Sequence, residues 1–561
     1  MLLGDVRASE SGSIAELFAT HFSSVFDPPA SSSPSYPVQD VVSLGRIEVS
    51  EGGVACGLAG LDTNKGMGPD GVPAILLKHC ASALTSPLTS LFNKSLETGH
   101  FPAKWKTSFI TPILKAGDKS LVNHYRPICL ISTIPKLLEK LMVEQLSLEF
   151  SSFMAPEQHG FLRGRSTVTN LLEFQDFVVA GFRDGLQTDV VTTDYAKAFD
   201  KLSHKHLLSL MESLGVHGSL LSWMRSYLCG RQLIVRVRGA VSSPISATSG
   251  IPQGSHLGPL CFLLMINSVV KIFKLDVKCL LFADDLKFFR RIESLQDCSE
   301  LQRAINCLED WCNSNQLYLN PAKCSVISFH RGSRPVISDY YLDGAPLQRS
   351  AEMVDLGVLC DSQLTFCQHI DDLSGRAMRA LGFLKRNTRE FTSINALVAL
   401  YKALVLPILE YASPVWSPQY GVHKYRLERV QNKFLRYVAF KLGVPSAEVD
   451  YDMLRRRCCL DTLERRRCLA DLSLLFKILN NGVSCPRLLA RIDLLAPRIS
   501  SRSPLLFNVP FSPTNYVKNQ PLNRLPRTAN LFLTMNPEFD FFCSPISSLK
   551  TIFSSSPINY S

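Results

Sequence analysis

Two adjacent aspartates, Asp284 and Asp285, are the residues of this sequence best suited to chemistry. They lie between two apolar stretches, residues 277–281 and 286–289, and this pattern predicts a β-hairpin with both carboxylates at its tip. Neighbouring carboxylates repel each other, so the pair indicates a cation opposite the tip. A hard divalent cation fits that place because such ions prefer carboxylate oxygens. Taken alone, the pair is better explained as an ordinary acidic turn.

A third carboxylate, Asp194, ends the stretch 188–194, which is typical of a strand. If this strand end faced the hairpin tip, the three acids would form a metal site. Such a site can hold two Mg²⁺ ions about 3.5–4 Å apart, which clamp the attacking and leaving oxygens of a phosphoryl transfer. Ninety positions separate Asp194 from Asp284, and their spacing alone does not bring them together.

A glycine-rich segment at residues 249–260 is the third feature. Glycines at 250, 254 and 258 allow the backbone to approach a ligand closely. The apolar residues that follow predict a buried helix. Taken alone, the segment is better explained as a glycine-rich turn that opens a core helix.

Local patterns predict the elements that must position these residues. Residues 108–114 are typical of a strand, and residues 371–480 are mostly helical in pattern and rich in arginine. Beyond residue 481 the composition turns to proline and serine, with weak structural signals. The sequence therefore predicts an α+β middle followed by a basic helical part. Further helical periodicity covers residues 76–96, 135–150 and 201–214.

The charge of the chain favours an anionic partner. The formal net charge is +11 over 561 residues, and residues 371–470 hold eighteen basic and ten acidic residues. The seventeen cysteines show no metal-ligand spacing, which is typical of a reducing, intracellular setting. We find no signal peptide and no apolar stretch long enough to span a bilayer. The sequence predicts a soluble intracellular protein without membrane contact and does not choose between nucleus and cytoplasm.

The motifs in their order resemble the reverse transcriptases of non-LTR (LINE-type) retrotransposons, most closely the jockey/R1-like elements. The resemblance covers roughly residues 60–440. Each motif is weak alone, but the ordered set is specific. The matching segments are KGMGPDGVP at 65–73, FPAKWKTSFITPILKAGDKS at 101–120, NHYRPICLIS at 123–132, EQHGFLRGRST at 157–167, DYAKAFD at 194–200, SGIPQGSHLGPL at 249–260, FADD at 282–285, LNPAKCSVISF at 319–329, VDLGVLCD at 354–361, LVLPILEYASPVW at 404–416 and LERVQNKFLR at 427–436.

The resemblance implies an RNA-directed DNA polymerase that joins a dNTP to a DNA primer 3′-hydroxyl on an RNA template. Asp194, Asp284 and Asp285 would be catalytic and bind two Mg²⁺ ions, with Asp285 the less direct ligand. The backbone carbonyl of Tyr195 would be a further ligand. Most catalysis would then come from positioning and charge neutralisation.

The same resemblance assigns the substrate-binding residues. Phe199 would pack under the sugar and exclude a 2′-hydroxyl, although core packing is its alternative role. Gln253 and Gly254 would line the nascent base pair and the template. Lys323 would donate a proton to pyrophosphate, unless it is only a surface lysine after a proline turn. Three further cations, which the sequence does not rank, would meet the triphosphate or template phosphates: Lys115, Arg126 and Arg163.

The implied fold is a right-hand polymerase with fingers, a palm built on an antiparallel sheet, and a helical thumb. A helical or irregular C-terminal region would follow the thumb. The basic thumb helices, including Arg376, Arg379, Lys385 and Arg386, would track the duplex backbone. The expected divisions are an N-terminal helical and linker segment at 1–59, a fingers-side extension at 60–95, fingers and palm at 96–360, the thumb and basic helices at 361–480, and an irregular tail at 481–561.

The sequence departs from the family in what it omits. Such elements usually carry an N-terminal endonuclease domain, and none precedes the finger motifs. We therefore expect a polymerase portion of a longer element product, with the endonuclease as a possible partner. A catalytically silent nucleic-acid-binding relic or domesticated fragment is the alternative function. A template-directed RNA polymerase is a weaker option, because Phe199 argues against it.

Overall fold

The computed structural model describes residues 1–28, 34–39, 41–332, 334–495 and 505–555. Within these ranges the chain folds into two five-stranded sheets surrounded by helices. The predicted α+β class is confirmed as a mixture of helix and sheet. Of the proline- and serine-rich stretch at 27–38, residues 29–33 lie outside the described residues.

The first sheet has the strand order β14-β11-β5-β10-β9. Strand β10 pairs antiparallel with both β9 and β5, and β11 pairs antiparallel with β5. The predicted strand at 188–194 and the predicted hairpin therefore lie side by side. The strands of this sheet are β5 (Gln187–Thr193), β9 (Lys278–Phe282), β10 (Asp285–Ile292), β11 (Ser325–Phe329) and β14 (Gln348–Arg349).

The second sheet has the order β4-β3-β6-β7, and β8 also pairs with β6. Its strands are β3 (Thr107–Leu114), β4 (Tyr125–Leu130), β6 (Arg231–Val237), β7 (Ala240–Val241) and β8 (Ile245–Ala247). The remaining short strands form separate pairs: β1 (Leu2–Leu3) with β2 (Val6–Arg7), β12 (Tyr341–Leu342) with β13 (Ala345–Pro346), and β15 (Glu352–Asp355) with β16 (Val358–Asp361).

The helices cover both sheets and make up most of the chain after residue 366. The first eleven are α1 (Ser11–Ser23), α2 (Glu51–Ala59), α3 (Ala74–His79), α4 (Ala81–Glu97), α5 (Thr133–Glu149), α6 (Thr167–Arg183), α7 (Ala198–Lys201), α8 (His204–Ser213), α9 (Gly218–Leu228), α10 (Leu257–Ile266) and α11 (Leu295–Asn315). The others are α12 (Cys367–Asn387), α13 (Ile394–Leu404), α14 (Leu406–Glu410), α15 (Ser413–Trp416), α16 (Gly421–Lys441), α17 (Tyr451–Cys458), α18 (Leu463–Leu479), α19 (Pro486–Leu489), α20 (Asn515–Asn519), α21 (Pro521–Met535) and α22 (Ile546–Ser555).

The first sheet separates two hydrophobic cores. Successive residues of a strand point to opposite faces, so Phe288 lies in the core with α10 and α11, and Phe289 lies in the core with α6 and α12. Val191 and Val190 of β5 divide in the same way. Both faces of β10 are therefore buried along residues 286–289, whereas Asp285 is exposed and Arg290 and Arg291 are partly exposed.

Residues 515–555, in the C-terminal region expected to be helical or irregular, are largely helical. This part contains α21 and α22, which pack with α18 around a separate core, and α20, whose Val517 is buried in the core that contains α6 and α12. Helix α21 begins at Pro521, where a missing N–H costs nothing. Its buried Leu525, Ala529 and Phe532 recur at helical spacing. In the sequence, prolines and serines of the neighbouring segments make this helical pattern weak.

The segment after α18 packs against the loop that precedes α6. The N–H of Ser484 donates to the carbonyl of Gly164 at 2.8 Å. The guanidinium of Arg487 pairs with Glu157 and, at 3.4 Å, with Glu173. The C-terminal part is thus bound to the segment that contacts the acidic hairpin.

No helix within the described ranges is long and apolar enough to cross a bilayer. All seventeen cysteines are free thiols. The absence of disulfide bonds means that burial in the cores, together with hydrogen bonds and ion pairs, holds the described fold together.

Candidate active site

The acidic hairpin is a tight two-residue turn. Phe282 pairs with Asp285, so Ala283 and Asp284 alone connect β9 to β10. Ala283 has a φ of +57°, in the left-handed region that glycine usually occupies in such turns. Burial of Ala283 and the contacts of the preceding loop hold this conformation.

The loop at 157–160 binds the hairpin from the side. The amide oxygen of Gln158 accepts hydrogen bonds from the N–H groups of Gly160 at 2.7 Å and Ala283 at 3.0 Å. The backbone also pairs, because His159 N–H donates to the carbonyl of Leu281 at 2.9 Å. A Cβ on Gly160 would lie 2.3 Å from the nitrogen of Ala283, so only glycine fits there. The turn is therefore held in one position.

Asp194 follows directly after β5, beside the start of β10. Leu286 pairs with Thr193, so the next position in this register places Asp194 opposite Asp285. Burial raises the pKa of Asp284, and the carboxylate of Asp194 adds to this rise. Burial also raises the pKa of Asp285 to about 6, and the carboxylates of Asp284 and Asp194 contribute. The three carboxylates are thus close enough to repel one another.

A second backbone pairing brings Lys323 to the same place. The N–H of Ala196 donates to the carbonyl of Tyr318, and the N–H of Asn320 donates to the carbonyl of Asp194, both at 2.8 Å. A short 3₁₀ turn, Pro321–Lys323, follows. The ammonium of Lys323 then donates to Asp194 Oδ2 at 3.0 Å. This lysine is 129 positions from Asp194 and nevertheless contacts it.

The donor set is suited to a hard cation, since it consists of carboxylates and the adjoining backbone carbonyls. However, no group of three histidine, cysteine or acidic side chains in the described ranges already converges in a geometry that holds a metal. Asp194 is engaged by Lys323. The acids fit divalent ions chemically, and they form an open cluster rather than a closed cage.

Phe199 and Gln253 lie next to each other. The Phe199 ring stacks on Phe262 of α10, with centroids 4.6 Å apart, and the carbonyl of Phe199 accepts the N–H of Ile251 at 2.9 Å. The side chain of Gln253 donates to Asp200 Oδ1 at 2.7 Å. A Cβ on Gly254, whose φ is +119°, would lie 2.7 Å from the carbonyl oxygen of Cys129. The glycine-rich segment therefore docks between the Asp194 loop and β4.

The three predicted finger cations divide into two groups. Lys115 and Arg126 are exposed on the β3–β4 hairpin, and both lower the pKa of Asp284, which places them near the acids. Arg163 is exposed beside Gly164, on the side that binds the C-terminal segment. Within the described residues, no contact links the Arg163 side chain to the acidic cluster.

Sequence reasoning missed several residues of this region. Gln158 was inside a quoted motif but had no assigned role. Asp200 closes the DYAKAFD motif, and its contact with Gln253 was not foreseen. Lys287 and Asp355 form a buried ion pair below Asp285. The signal for this pair in the sequence is Lys287, a charged residue within the apolar stretch 286–289.

Comparison with known proteins supports the same class. Residues 113–382 match the reverse transcriptase (RNA-dependent DNA polymerase) family. The matched residues contain every strand of the first sheet and the acidic hairpin, together with β4, β6, β7 and β8 of the second sheet.

Three relatives indicate which kind of reverse transcriptase the chain resembles. The probable RNA-directed DNA polymerase from transposon BS of Drosophila melanogaster is 28% identical over 426 residues, 72% of this chain and 46% of the relative. The RNA-directed DNA polymerase from mobile element jockey of Drosophila funebris is 28% identical over 368 residues, 63% of this chain and 40% of the relative. The Pol polyprotein from retrotransposable element R1 of Bradysia coprophila is 28% identical over 365 residues, 63% of this chain and 35% of the relative.

These relatives confirm the predicted relationship to the reverse transcriptases of non-LTR retrotransposons. The matched part of this chain spans less than half the length of each of the three relatives.

Proposed function

We propose that this chain is an RNA-directed DNA polymerase of a non-LTR retrotransposon, which transfers a nucleotide from a dNTP to a primer 3′-hydroxyl on an RNA template. The observation that carries the proposal is the meeting of Asp194 with Asp284 and Asp285 on neighbouring antiparallel strands. The substrates and partners are an RNA template, a DNA primer and dNTPs.

Asp194, Asp284 and Asp285 would hold two Mg²⁺ ions, with the backbone carbonyl of Tyr195 as a further ligand. When bound, such ions activate the attacking hydroxyl and neutralise charge on the phosphates. The cluster agrees with this role because its carboxylates repel one another, and bound cations would relieve that repulsion. The tight turn at Ala283 fixes the two hairpin acids before substrate arrives.

Lys323 would supply the proton that leaves with pyrophosphate. Its hydrogen bond to Asp194 supports this role, because it keeps the ammonium at the edge of the acidic cluster. The side chain remains half exposed and can therefore turn towards a substrate phosphate.

The substrate would lie between the acids and the β3–β4 hairpin. Phe199 would form the floor under the sugar and exclude a 2′-hydroxyl, and its stacking on Phe262 favours a rigid surface there. Gln253 and Gly254 would line the nascent base pair. Lys115 and Arg126 would meet the triphosphate, as their proximity to Asp284 suggests. Arg163 would contact template phosphates farther from the acids.

We further propose the layout of a right hand. The first sheet would be the palm and the second sheet the fingers, together covering residues 96–360. Residues 60–95 would extend the fingers, with residues 1–59 as an N-terminal segment. Residues 361–480 would form the thumb and basic helices, and 481–561 the C-terminal region.

One face of α12 supports a thumb that follows a nucleic-acid backbone. Arg376, Arg379 and Arg386 are exposed there with Phe383 at helical spacing, whereas Leu373, Ala377 and Leu384 of the opposite face are buried. Lys385 is half-buried beside the ring of Tyr437. Such contacts would be independent of sequence and sensitive to salt.

The second candidate is a catalytically silent nucleic-acid-binding relic or domesticated fragment. The observation that favours it is the hydrogen bond between Lys323 and Asp194, which occupies one of the three carboxylates that a metal would need. In the first candidate, the remaining portion of a longer element product, including an endonuclease, would be a partner.

Primer extension on poly(rA)/oligo(dT) with Mg²⁺ separates the two candidates. We expect the wild-type chain to extend the primer and Asp284→Asn to lose at least about 10²-fold in rate, the effect of removing a group essential to positioning and charge neutralisation. No extension by the wild-type chain would support the relic. Equal extension by both proteins would refute the assignment of the acids.

A further inference from the structure

Asp27, within the N-terminal segment, contacts the glycine-rich segment of the proposed active site. The N–H of Asp27 donates to Ser249 Oγ at 2.9 Å, and Thr248 Oγ1 donates to the carbonyl of Asp27 at 2.8 Å. The carboxylate of Asp27 also accepts from the ammonium of Lys201 at 3.1 Å. Three independent contacts thus fix one residue of the N-terminal segment beside residues 200–201 and 248–249.

Ser249 links Asp27 to Asp200 through hydrogen bonds with both residues. Its hydroxyl accepts from Asp27 and donates to the carbonyl of Asp200 at 2.8 Å. The carboxylate of the same Asp200 accepts from Gln253 Nε2 at 2.7 Å. A continuous chain of hydrogen bonds therefore runs from the N-terminal segment to the side chain proposed to line the nascent base pair.

Backbone hydrogen bonds leave the residues of this hydrogen-bond network little freedom to move. The N–H of Gly250 donates to the carbonyl of Leu202 at 2.8 Å, and that of Cys129 donates to the carbonyl of Gln253 at 2.8 Å. Gly250 has a φ of +77°, and a Cβ there would lie 2.4 Å from the carbonyl oxygen of Asp200. The position of Asp200 consequently decides the position of the segment that bears Gln253.

The N-terminal segment is itself held in place by packing against the second sheet, so it can keep Asp27 in a fixed position. Helix α1 packs through Phe18 and Phe22 on the second sheet, where Ile110 and Val235 are fully buried. Phe26 reaches the small cavity of about 30 Å³ that Asp200 and Gln253 also line. Burial raises the pKa of Asp200, while the Gln253 amide and the charge of Lys197 oppose that rise.

We propose that Asp200, held by Ser249 and Asp27, is a positioning residue for Gln253, and that residues 1–28 are therefore part of the nucleotide-reading site. This inference rests on the proposed polymerase function. Asp200 acts through Gln253 and does not touch the reacting atoms. The N-terminal segment would thus influence the choice of the incoming dNTP.

Steady-state incorporation with matched and mismatched dNTPs tests the proposal. We expect Asp200→Ala and Ser249→Ala to raise KM for the matched dNTP roughly tenfold, the cost of about one hydrogen bond, and to raise misincorporation, with kcat within about threefold. Asp200→Asn keeps an acceptor oxygen for Gln253 and should restore most of the affinity. Ser243→Ala is the matched control, since it removes a contact with Glu16 of α1 away from the site.

Hydrogen exchange supplies a readout that does not need activity. In Ser249→Ala the N–H groups of Gly250 and Cys129 should exchange at least about tenfold faster, because the segment that accepts or donates these bonds is loosened. Ser243→Ala should leave both unchanged.

The outcomes separate this inference from the proposed function. Unchanged KM, misincorporation and exchange in Asp200→Ala and Ser249→Ala, in an otherwise active protein, would overturn the positioning role. An inactive wild-type chain in which Ser249→Ala still speeds exchange would refute the polymerase function and leave the link between Asp27 and Gln253 established.

Discussion

The side chain of Gln158 holds the backbone of Ala283, with its amide oxygen 3.0 Å from the Ala283 nitrogen. The two residues are 125 positions apart, and both are buried. Through this contact a loop before α6 fixes the turn that bears Asp284. The geometry of the acidic cluster therefore depends on a neutral amide that carries no catalytic role of its own.

Replacing Gln158 by leucine should lower the free energy of unfolding by about 2 kcal/mol, because two buried N–H groups lose their acceptor. Chemical denaturation measures the change. Gln145→Ala, which removes an exposed contact with the carbonyl of Glu48, is the control and should cost less than about 0.5 kcal/mol. Equal losses in both variants would contradict the special role of Gln158.

Gly160→Ala should destabilise the protein by about 1–3 kcal/mol and reduce primer extension, because the new Cβ collides with Ala283 and displaces the turn. Thermal unfolding and extension assays measure the two effects. Gly12→Ala, which lies in α1 with no atom near its Cβ, should be neutral or stabilising. Normal activity and stability of Gly160→Ala would show that the turn has room to shift.

Lys287→Met should cost about 3–5 kcal/mol of stability, because it leaves the buried carboxylate of Asp355 without its ion-pair partner. The ammonium of Lys287 also lies 4.5 Å from the ring centroid of Phe174. The double variant Lys287→Met with Asp355→Leu should recover most of the loss, since it removes both charges. Denaturation of the single and double variants gives the comparison, and no recovery would argue against a simple ion pair.

Stability should fall as the pH drops below the usual histidine range. Burial lowers the pKa of His369 to about 4 and that of His159 to about 3, from 6.5. The unfolded chain binds these protons below pH 6.5 while the folded chain does not, so the contribution is intact above pH 6.5 and lost on acidification. From pH 7 to 5 each histidine should cost about 2 kcal/mol.

His369→Gln tests the effect of one histidine. This variant should show a pH dependence smaller by about 2 kcal/mol over the same interval, measured by urea unfolding at several pH values. Gln145→Ala removes an exposed contact and no titratable group, so it is the control and should leave the slope unchanged. At neutral pH His159 is uncharged, so its 3.6 Å approach to Glu173 is a polar contact and not an ion pair.

Phe199→Ala should admit ribonucleotides, because it removes the surface proposed to exclude the 2′-hydroxyl. The ratio of kcat/KM for dNTP over rNTP should fall roughly 10–100-fold, the range that shape exclusion in a pocket provides. Phe199→Tyr keeps the ring and should retain discrimination. If the alanine variant discriminates between dNTP and rNTP as well as the wild type, Phe199 would only pack against Phe262 and would not exclude the 2′-hydroxyl.

Much of the first sheet and its turn was predictable because the signals are local. The apolar stretches on both sides of Asp284 and Asp285 specify a hairpin, and the apolar stretch before Asp194 specifies a strand. Neither prediction needs the rest of the chain. The contacts of Lys323 with Asp194 and of Gln158 with Ala283 join segments more than one hundred positions apart, and no local pattern encodes them. The position of Arg163 was not predictable for the same reason, because its motif does not indicate whether the side chain lies near the acids.

The attachment of Arg487 to Glu157 and Glu173 has a consequence for how this protein is divided. The family match ends at residue 382, and every quoted acidic motif lies before that point. A fragment cut there would retain Asp194, Asp284 and Asp285 but lose the contacts of Arg487 with Glu157 and Glu173 beside the hairpin. The residues matched by the family model do not include all those that brace the hairpin, so work on isolated catalytic fragments should extend at least to α19.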